Sequence, residues 1–129
     1  MRVTLAGGLA IFVADGVDGV AAQTLHAGLT EQGAVPRYIG PRLGTVELWS
    51  FTSDFHHPVH VHLAHFQIVG RNGRGPEPGD AGWKDTVDCR PYETVEVLVR
   101  FAGHRGRYML HCHNLEHEDM AMMANFDIT

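Results

Sequence analysis

Residues 111–123 read His111-Cys112-His113-Asn114-Leu115-Glu116-His117-Glu118-Asp119-Met120-Ala121-Met122-Met123. This run combines a thiol with imidazoles and thioethers, which are side chains that bind transition metals. One thiolate and two histidines in a trigonal plane, with a weak axial methionine, form a blue-copper electron-transfer centre. Cys112, His117 and Met122 are evenly spaced, so a loop that folds back on itself can direct all three at one ion. The run therefore predicts a copper site that needs one further histidine.

A second histidine-rich segment lies upstream and reads His57-Pro58-Val59-His60-Val61-His62. Alternate side chains of an extended strand lie on one face, so His60 and His62 share a face. His111 and His113 flank Cys112 in the same way. If Cys112 points into the domain, these two neighbours must point out of the opposite face. The pattern thus predicts a second metal site on that outer face.

Two motifs together carry a family resemblance: His57-Pro58-x-His60-x-His62 and His111-Cys112-His113-x-x-x-His117-x-x-x-x-Met122. They resemble the C-terminal cupredoxin domain of the multicopper oxidases, the family of laccase, bilirubin oxidase and spore-coat oxidase. The resemblance continues through Pro41-Arg42-Leu43-Gly44-Thr45-Val46-Glu47-Leu48-Trp49, Gly82-Trp83-Lys84-Asp85-Thr86-Val87 and Gly106-Arg107-Tyr108. It covers residues 41–129 and implies copper ions as cofactors, with dioxygen and a phenolic or other reducing substrate as partners.

The resemblance assigns a type 1 copper to His57, Cys112, His117 and Met122. At the axial position the spacing favours Met122, and the competitors are Met120 and Met123, whose alternative role is strand packing. Asp85 and the neighbouring polar residues are candidate partners for a ligand imidazole, because the second ring nitrogen of a metal-bound histidine usually donates to a carboxylate, a carbonyl or water.

The resemblance also implies a trinuclear copper cluster on the outer face. His60 would hold the type 2 ion, while His62, His111 and His113 would hold the type 3 pair. In the family, two His-x-His motifs of the N-terminal domain supply the other half, and no further motif of this kind is present in the sequence. We therefore expect a homo-oligomer in which two chains face each other through these histidines, because a symmetric interface repeats one patch.

Electrons would enter at the exposed edge of His117, cross Cys112 and leave through His111 and His113 to the cluster, where dioxygen is reduced to water. In relatives with this His-Glu-Asp sequence, the acid after the type 1 histidine delivers protons, which points to Glu118 as the catalytic residue. A carboxyl group near a metal can be a general acid because burial and charge tune its acidity. The alternative for Glu118 is a solvent-exposed carboxylate in a turn.

The remaining histidines and the second cysteine are given no metal role. His56 and His104 lie near predicted turns, His65 falls on the strand face opposite His62, and His26 is isolated on a predicted helix. Cys89 lies on a predicted strand and is interpreted as a small packing residue.

Length and composition set outer limits on the function. The 129 residues fit one domain with its own core. The formal net charge of -5 and the scattered basic residues do not indicate binding to nucleic acid or to an anionic membrane. No apolar stretch has the length of a membrane span. The apolar run at 9–14 is short for a signal peptide and lacks a small-x-small cleavage site, so we expect a cytoplasmic location.

Residues 41–129 predict an all-β, cupredoxin-like Greek-key β-sandwich. Strands are predicted at 45–51, 84–89, 93–101, 107–112 and 121–128, with one long extended stretch at 59–70 and a loop at 72–80. Residues 1–40 are predicted to form a separate scaffold segment of β-α-β type. It contains a strand at 9–14, an amphipathic helix at 18–32 and an extended segment at 34–39.

Residues 9–44 also resemble a piece of the C-terminal flavodoxin-like domain of large-subunit catalases. The matching runs are Val13-Ala14-Asp15-Gly16-Val17-Asp18-Gly19, Gly33-Ala34-Val35-Pro36-Arg37 and Pro41-Arg42-Leu43-Gly44. This resemblance implies a chimeric chain. In the alternative interpretation, residues 2–5 and 9–13 are the first strands of the cupredoxin, and the helix is an insertion before Pro41.

Three functions stay open from the sequence. The first is a laccase-like oxidase whose cluster is completed between chains. The second is a single-copper electron carrier, and the third is a fragment that binds copper without oxidase activity. Oxygen consumption with a phenolic substrate separates the first function from the other two.

Overall fold

A computed structural model describes residues 2–6 and 9–13 by their backbone and residues 42–129 in full. Within these ranges the strands are β1 (Arg2–Ala6), β2 (Leu9–Val13), β3 (Val46–Ser53), β4 (His57–Val61), β5 (Phe66–Arg71), β6 (Thr86–Cys89), β7 (Thr94–Arg100), β8 (Gly106–Cys112) and β9 (Met123–Ile128). They form two sheets, in the orders β2-β1-β3-β7-β5 and β6-β4-β8-β9. The predicted all-β sandwich is confirmed.

Two short helices lie between the described strands. A 3-10 helix, Pro78–Asp80, interrupts the predicted loop at 72–80, and helix α1 spans Leu115–Asp119. Among the described residues, no helix is long and apolar enough to cross a membrane.

The strand order brings the two histidine-rich segments together. From β3 to β8, each successive strand lies in the opposite sheet, so strands pair with partners that are distant in sequence. Strand β4 pairs with β8 in antiparallel register, with Val59 opposite Cys112 and His60 opposite His111. The strand that carries His57 and His60 therefore lies beside the strand that ends in His111 and Cys112.

Alternation of side chains builds the core between the sheets. In β7, Val95, Val97 and Val99 are buried, whereas the residues between them are partly or fully exposed. Trp49 is fully buried, with ring centroids 5.2 Å from Phe101 and 5.1 Å from Phe126. Full burial of an apolar side chain of this size stabilises a fold by roughly 1.5–3 kcal/mol, so this aromatic group is a principal contact between the two sheets.

The prediction of one long extended stretch at 59–70 is wrong. Strand β4 ends at Val61, Leu63 takes a left-handed φ of 59°, and the chain starts β5 at Phe66 in the other sheet. Val61 and Ala64 are three positions apart in the sequence, and both are buried. One straight strand cannot bury both, because side chains that are an odd number of residues apart point to opposite faces of the sheet.

Other strand boundaries differ by small amounts from the prediction. The predicted strand at 84–89 begins at Thr86, and the one at 121–128 begins at Met123. Ala121 has a φ of 64°, which interrupts the extended backbone before that strand.

The N-terminal strands extend the larger sheet. β1 pairs with β2 in antiparallel and with β3 in parallel orientation. Residues 2–6 and 9–13 are thus strands of the sandwich, as in the alternative interpretation. The predicted helix at 18–32, His26 and the segment at 34–39 lie outside the described residues, and the division at residue 40 stays a prediction.

A buried ion-pair network holds the loop at 72–80 against the sandwich. Arg71 donates to both carboxylate oxygens of Asp80, at 2.8 Å each, and to Oε2 of Glu93 at 2.9 Å. All three residues are less than a tenth exposed. The Arg71 hydrogen bonds lower the pKa of Asp80, against the opposing effect of burial. The two acidic residues therefore compensate the buried charge of the guanidinium.

Candidate metal centres

The first centre consists of His57, Cys112 and His117. Cys112 Sγ lies 3.4 Å from Nδ1 of His117, and the Nδ1 atoms of His57 and His117 are 3.2 Å apart. The donor atoms of all three residues lie within 4.8 Å of one another. His57 and Cys112 are buried, and His117 is half-buried. Two imidazole nitrogens and one sulfur around a single point fit a trigonal copper ion.

Strand alternation places two of these donors. His57, Val59 and Val61 occupy the buried face of β4, and Cys112 follows Tyr108 and Leu110 on the buried face of β8. Both strands lie in the smaller sheet. The local backbone therefore directs the His57 ring and the Cys112 thiol into the domain.

Helix α1 places the third donor. The Asn114 side chain accepts a hydrogen bond from the Glu116 amide, which caps the helix, and the His117 amide donates to the Asn114 carbonyl at 3.0 Å. One helical turn thus returns the chain toward Cys112. The sequence predicted a loop that folds back, and a short capped helix performs this role.

Backbone hydrogen bonds hold Met122 beside the same centre. Its amide donates to the His117 carbonyl at 2.9 Å, and its carbonyl accepts from the Cys112 amide at 3.1 Å. Met122 is 6% exposed, whereas Met120 is 72% and Met123 is 39% exposed. Of these three candidates for the axial position, Met122 is the buried one.

Burial shifts the pKa of two groups of the first centre, His57 and Cys112. It is the main cause that lowers the pKa of His57, and the nearby His117 adds to the effect. Burial also raises the pKa of the Cys112 thiol, partly offset by a hydrogen bond from the Asn114 amide. A metal-bound cysteine is a thiolate and a metal-bound histidine is neutral, so metal binding must release the thiol proton.

The second centre consists of His60, His62 and His111, whose donor atoms also lie within 4.8 Å of one another. The Nε2 atoms of His62 and His111 are 3.0 Å apart. His113 lies beside this group, with its ring stacked on His111 at a centroid distance of 5.4 Å, but its nitrogens are not in the set. The structure therefore brings together three of the four predicted outer histidines and leaves the fourth exposed at their edge.

Hydrogen bonds orient two of these rings. Nδ1 of His111 lies 3.0 Å from the Cys112 carbonyl oxygen. Nδ1 of His60 lies 3.0 Å from both the Asp85 carbonyl oxygen and the Thr86 hydroxyl oxygen. The sequence singled out Asp85 and its polar neighbours for such a role, and Thr86, which follows Asp85 directly on a strand that pairs with β4, is one of them.

Charge and burial also act on His62. Burial is the main cause that lowers its pKa, and the neighbouring His60 and His111 contribute in the same direction. His62 therefore favours the neutral form, which is the form that binds metal ions.

Glu118 approaches the second centre from helix α1. Its Oε2 lies 3.6 Å from Nδ1 of His111, and its side chain is 36% exposed. It belongs to neither set of metal donors in the described residues.

Among the described residues, those predicted to have no metal role lie outside both centres. His56, His65 and His104 are exposed. Cys89 is fully buried, and burial raises its pKa to about 12. It pairs in register with His57 across β6 and β4 but is not in the donor set.

A sequence model of the family described as multicopper oxidase matches residues 22–129. The chain therefore belongs to the multicopper oxidase family. It is 40% identical over 114 residues to a laccase of Haloferax volcanii, which covers 84% of the chain and 19% of that laccase. It is 43% identical over 94 residues to a bilirubin oxidase of Albifimbria verrucaria, which covers 67% of the chain and 16% of that enzyme.

Solved structures agree with this family. The fold matches a laccase from Pediococcus acidilactici with a TM-score of 0.72 and 28% identity, over 100% of the chain and 26% of the laccase. It matches the McoA multicopper oxidase of Aquifex aeolicus with a TM-score of 0.70 and 28% identity, over 100% of the chain and 29% of that enzyme. The chain spans about a fifth of the length of the curated relatives it matches. The catalase-like piece at 9–44 is not shown by these comparisons, and the family match starts inside it, at residue 22.

Proposed function

We propose that the chain is the electron-transfer part of a laccase-like oxidase. In this proposal a type 1 copper binds to His57, Cys112, His117 and Met122. His60 binds a type 2 copper, and His62, His111 and His113 contribute to a type 3 pair. The partners are dioxygen and a phenolic or other reducing substrate. Membership of the multicopper oxidase family supports the choice of copper.

One observation carries the proposal: two adjacent residues, His111 and Cys112, belong to two different donor sets. The peptide bond between them joins the two centres directly. A hydrogen bond adds a second link, since Nδ1 of His111 lies 3.0 Å from the Cys112 carbonyl oxygen. A chain with two such linked centres is suited to move electrons from one site to the other.

Copper supplies one-electron redox chemistry at such sites, and the side chains set the conditions for it. Buried Cys112 and His57 keep water away from the first centre, and hydrogen bonds hold the Met122 backbone beside it. At the second centre, Glu118 is the proposed proton donor for dioxygen reduction. Its carboxylate lies close to His111 and is partly open to solvent, so it can exchange protons with water.

We further propose that the cluster is completed across an interface by a second copy of the chain. The second centre of one chain offers three convergent imidazoles, with His113 at its edge. Three copper ions need more ligands than these four residues provide. In a symmetric dimer the same patch faces itself, so each chain would supply an equal share of the ligands.

The test measures copper per chain, molecular mass and oxygen consumption in one series. We expect a blue species that forms oligomers on copper addition and consumes oxygen with a phenolic substrate. The double variant His60→Ala with His113→Ala should keep the blue colour and lose both assembly and oxygen consumption.

Two results would contradict the proposal. A monomer that binds copper and reduces dioxygen would overturn the interface. A monomer that binds one copper and consumes no oxygen would instead establish a single-copper electron carrier, a function consistent with the exposed position of His113 outside the donor set.

A further inference from the structure

Thr86 is the register partner of His60 between strands β6 and β4. Its hydroxyl oxygen lies 3.0 Å from Nδ1 of His60. The backbone carbonyl oxygen of Asp85 lies 3.0 Å from the same nitrogen. Nδ1 of His60 therefore has two close polar neighbours, and β6 together with the residue just before it supplies both.

The Asp85 carboxylate determines the direction in which the Thr86 hydroxyl donates. An ionised carboxylate is an acceptor only, and Oδ1 of Asp85 lies 3.0 Å from Oγ1 of Thr86. The hydroxyl therefore gives its one proton to the carboxylate and keeps its lone pairs for His60. The direct distance from Oδ1 of Asp85 to Nδ1 of His60 is 3.9 Å, which is too long for a hydrogen bond. The carboxylate thus acts on the ring through Thr86.

Both neighbours of Nδ1 are then acceptors. A backbone carbonyl cannot donate, and the Thr86 hydroxyl donates elsewhere. In a neutral imidazole one nitrogen carries the proton and the other carries the free lone pair. Two acceptors at Nδ1 place the proton there, so the free lone pair of His60 lies on Nε2.

We infer that Asp85 and Thr86 are positioning residues that hold neutral His60 in its Nδ1–H form and keep Nε2 free to bind a metal ion. This inference rests on the proposed metal site at His60, His62 and His111. It matches the arrangement of His111, whose Nδ1 lies 3.0 Å from the Cys112 carbonyl oxygen and whose Nε2 lies 3.0 Å from Nε2 of His62. Three rings of one site thus present the same ring nitrogen.

The first experiment reads the tautomer directly in the metal-free full chain. Nitrogen-15 chemical shifts of the ring distinguish the Nδ1–H and Nε2–H forms of His60. We expect the Nδ1–H form in the wild type and in Thr86→Ser, which keeps the hydroxyl. In Thr86→Val one of the two acceptors at Nδ1 is lost, and in Asp85→Ala the hydroxyl is free to donate to Nδ1, so both variants should gain an Nε2–H fraction.

The second experiment measures the affinity for Cu²⁺ at the three-histidine site by calorimetry. Loss of a partner that orients a ligand histidine typically costs about 10- to 100-fold in metal affinity. We expect a loss of this size in Thr86→Val and affinity close to wild type in Thr86→Ser. The matched control is Thr52→Val. It removes a hydroxyl that lies 3.1 Å from Thr94 Oγ1, and both residues belong to the larger sheet, away from His60. The blue colour of the first centre reports that each variant is folded.

The outcomes separate this inference from the proposed function. A wild type that binds copper at the three histidines but carries Nε2–H on His60 overturns the inference alone. The same holds if Thr86→Val changes neither the tautomer nor the affinity. A wild type with Nδ1–H on His60 that binds no copper there contradicts the proposed function and the metal-binding part of the inference.

Discussion

The Nδ1 atoms of His57 and His117 lie 3.2 Å apart, although 60 positions separate the two residues in the sequence. Their rings are tilted by 57° with centroids at 4.9 Å, so the two nitrogens face each other. Two lone pairs at this distance repel unless a proton or a cation lies between them. Cys112 Sγ lies 3.4 Å from the second of these nitrogens. The three donors therefore form a compact site that a cation stabilises.

Cys112→Ser should abolish the blue colour of the copper-loaded chain, because the intense absorption arises from charge transfer between the thiolate and copper. The measurement is the visible spectrum after copper addition. Cys89→Ala is the matched control, since it removes the other buried thiol of the described residues and should leave the colour unchanged. A blue Cys112→Ser protein would show that the ligand assignment is wrong.

Met122→Leu should keep the blue colour and raise the redox potential of the first centre. In the proposed type 1 site, this change replaces the axial thioether by a side chain that does not coordinate and leaves the three trigonal ligands unchanged. A potentiometric titration followed at the visible band measures the effect. Met120→Leu, at a residue that is 72% exposed, should leave the potential unchanged. Complete loss of copper from Met122→Leu would mean that the thioether is needed for retention.

The metal-free chain should lose stability as the pH falls below 6.5, which is the ordinary pKa of a histidine side chain. The pKa values of His57 and His62 are lowered, mainly by burial. Below pH 6.5 these histidines bind protons in the unfolded chain but stay neutral in the folded chain. The free energy of unfolding therefore decreases until the histidines of the folded chain also protonate. Urea unfolding between about pH 7.5 and pH 5 measures this trend.

A pair of variants tests the source of this pH dependence. His57→Asn should reduce the slope of the unfolding free energy against pH, because it removes one histidine whose pKa is lowered. His104→Gln, at an exposed position, should leave it unchanged. Equal slopes in wild type and in His57→Asn would contradict the role of burial at His57.

Arg71→Ala should destabilise the fold by about 3–5 kcal/mol, since it leaves the Asp80 and Glu93 carboxylates buried without their cation. Chemical unfolding at neutral pH measures the change. Arg74→Ala removes a guanidinium from an exposed residue of the same loop and should have little effect. A loss below about 1 kcal/mol in Arg71→Ala would show that water compensates these carboxylates.

Glu118→Gln should slow dioxygen reduction by about 10²-fold or more if Glu118 is the proton donor, because the amide cannot donate in its place. The colour and potential of the first centre should not change, since Glu118 is outside that donor set. Oxygen consumption is the readout. Glu116→Gln, an exposed carboxylate on the same helix, serves as control. Equal rates in both variants would remove Glu118 from the proposed function.

Local periodicity explains why much of the site was predictable from the sequence. The alternation of His57, Val59 and Val61 against His60 follows from strand geometry alone, so the sequence separated inward from outward donors. The same rule assigned Cys112 to the inside and His111 to the second centre. The rule failed at residues 63–65, because a change of sheet depends on what the next segment packs against.

The order of residues along the chain is enough to identify the donor residue types and the two faces of strands β4 and β8, since side chains alternate along a strand. The three-dimensional packing determines that Met122 is buried while Met120 and Met123 are exposed. It also determines that Nδ1 of His60 lies beside Thr86 and that the Nδ1 atoms of His57 and His117 face each other. Burial and hydrogen-bond partners come from segments that are distant in the chain, and strand periodicity carries no information about them.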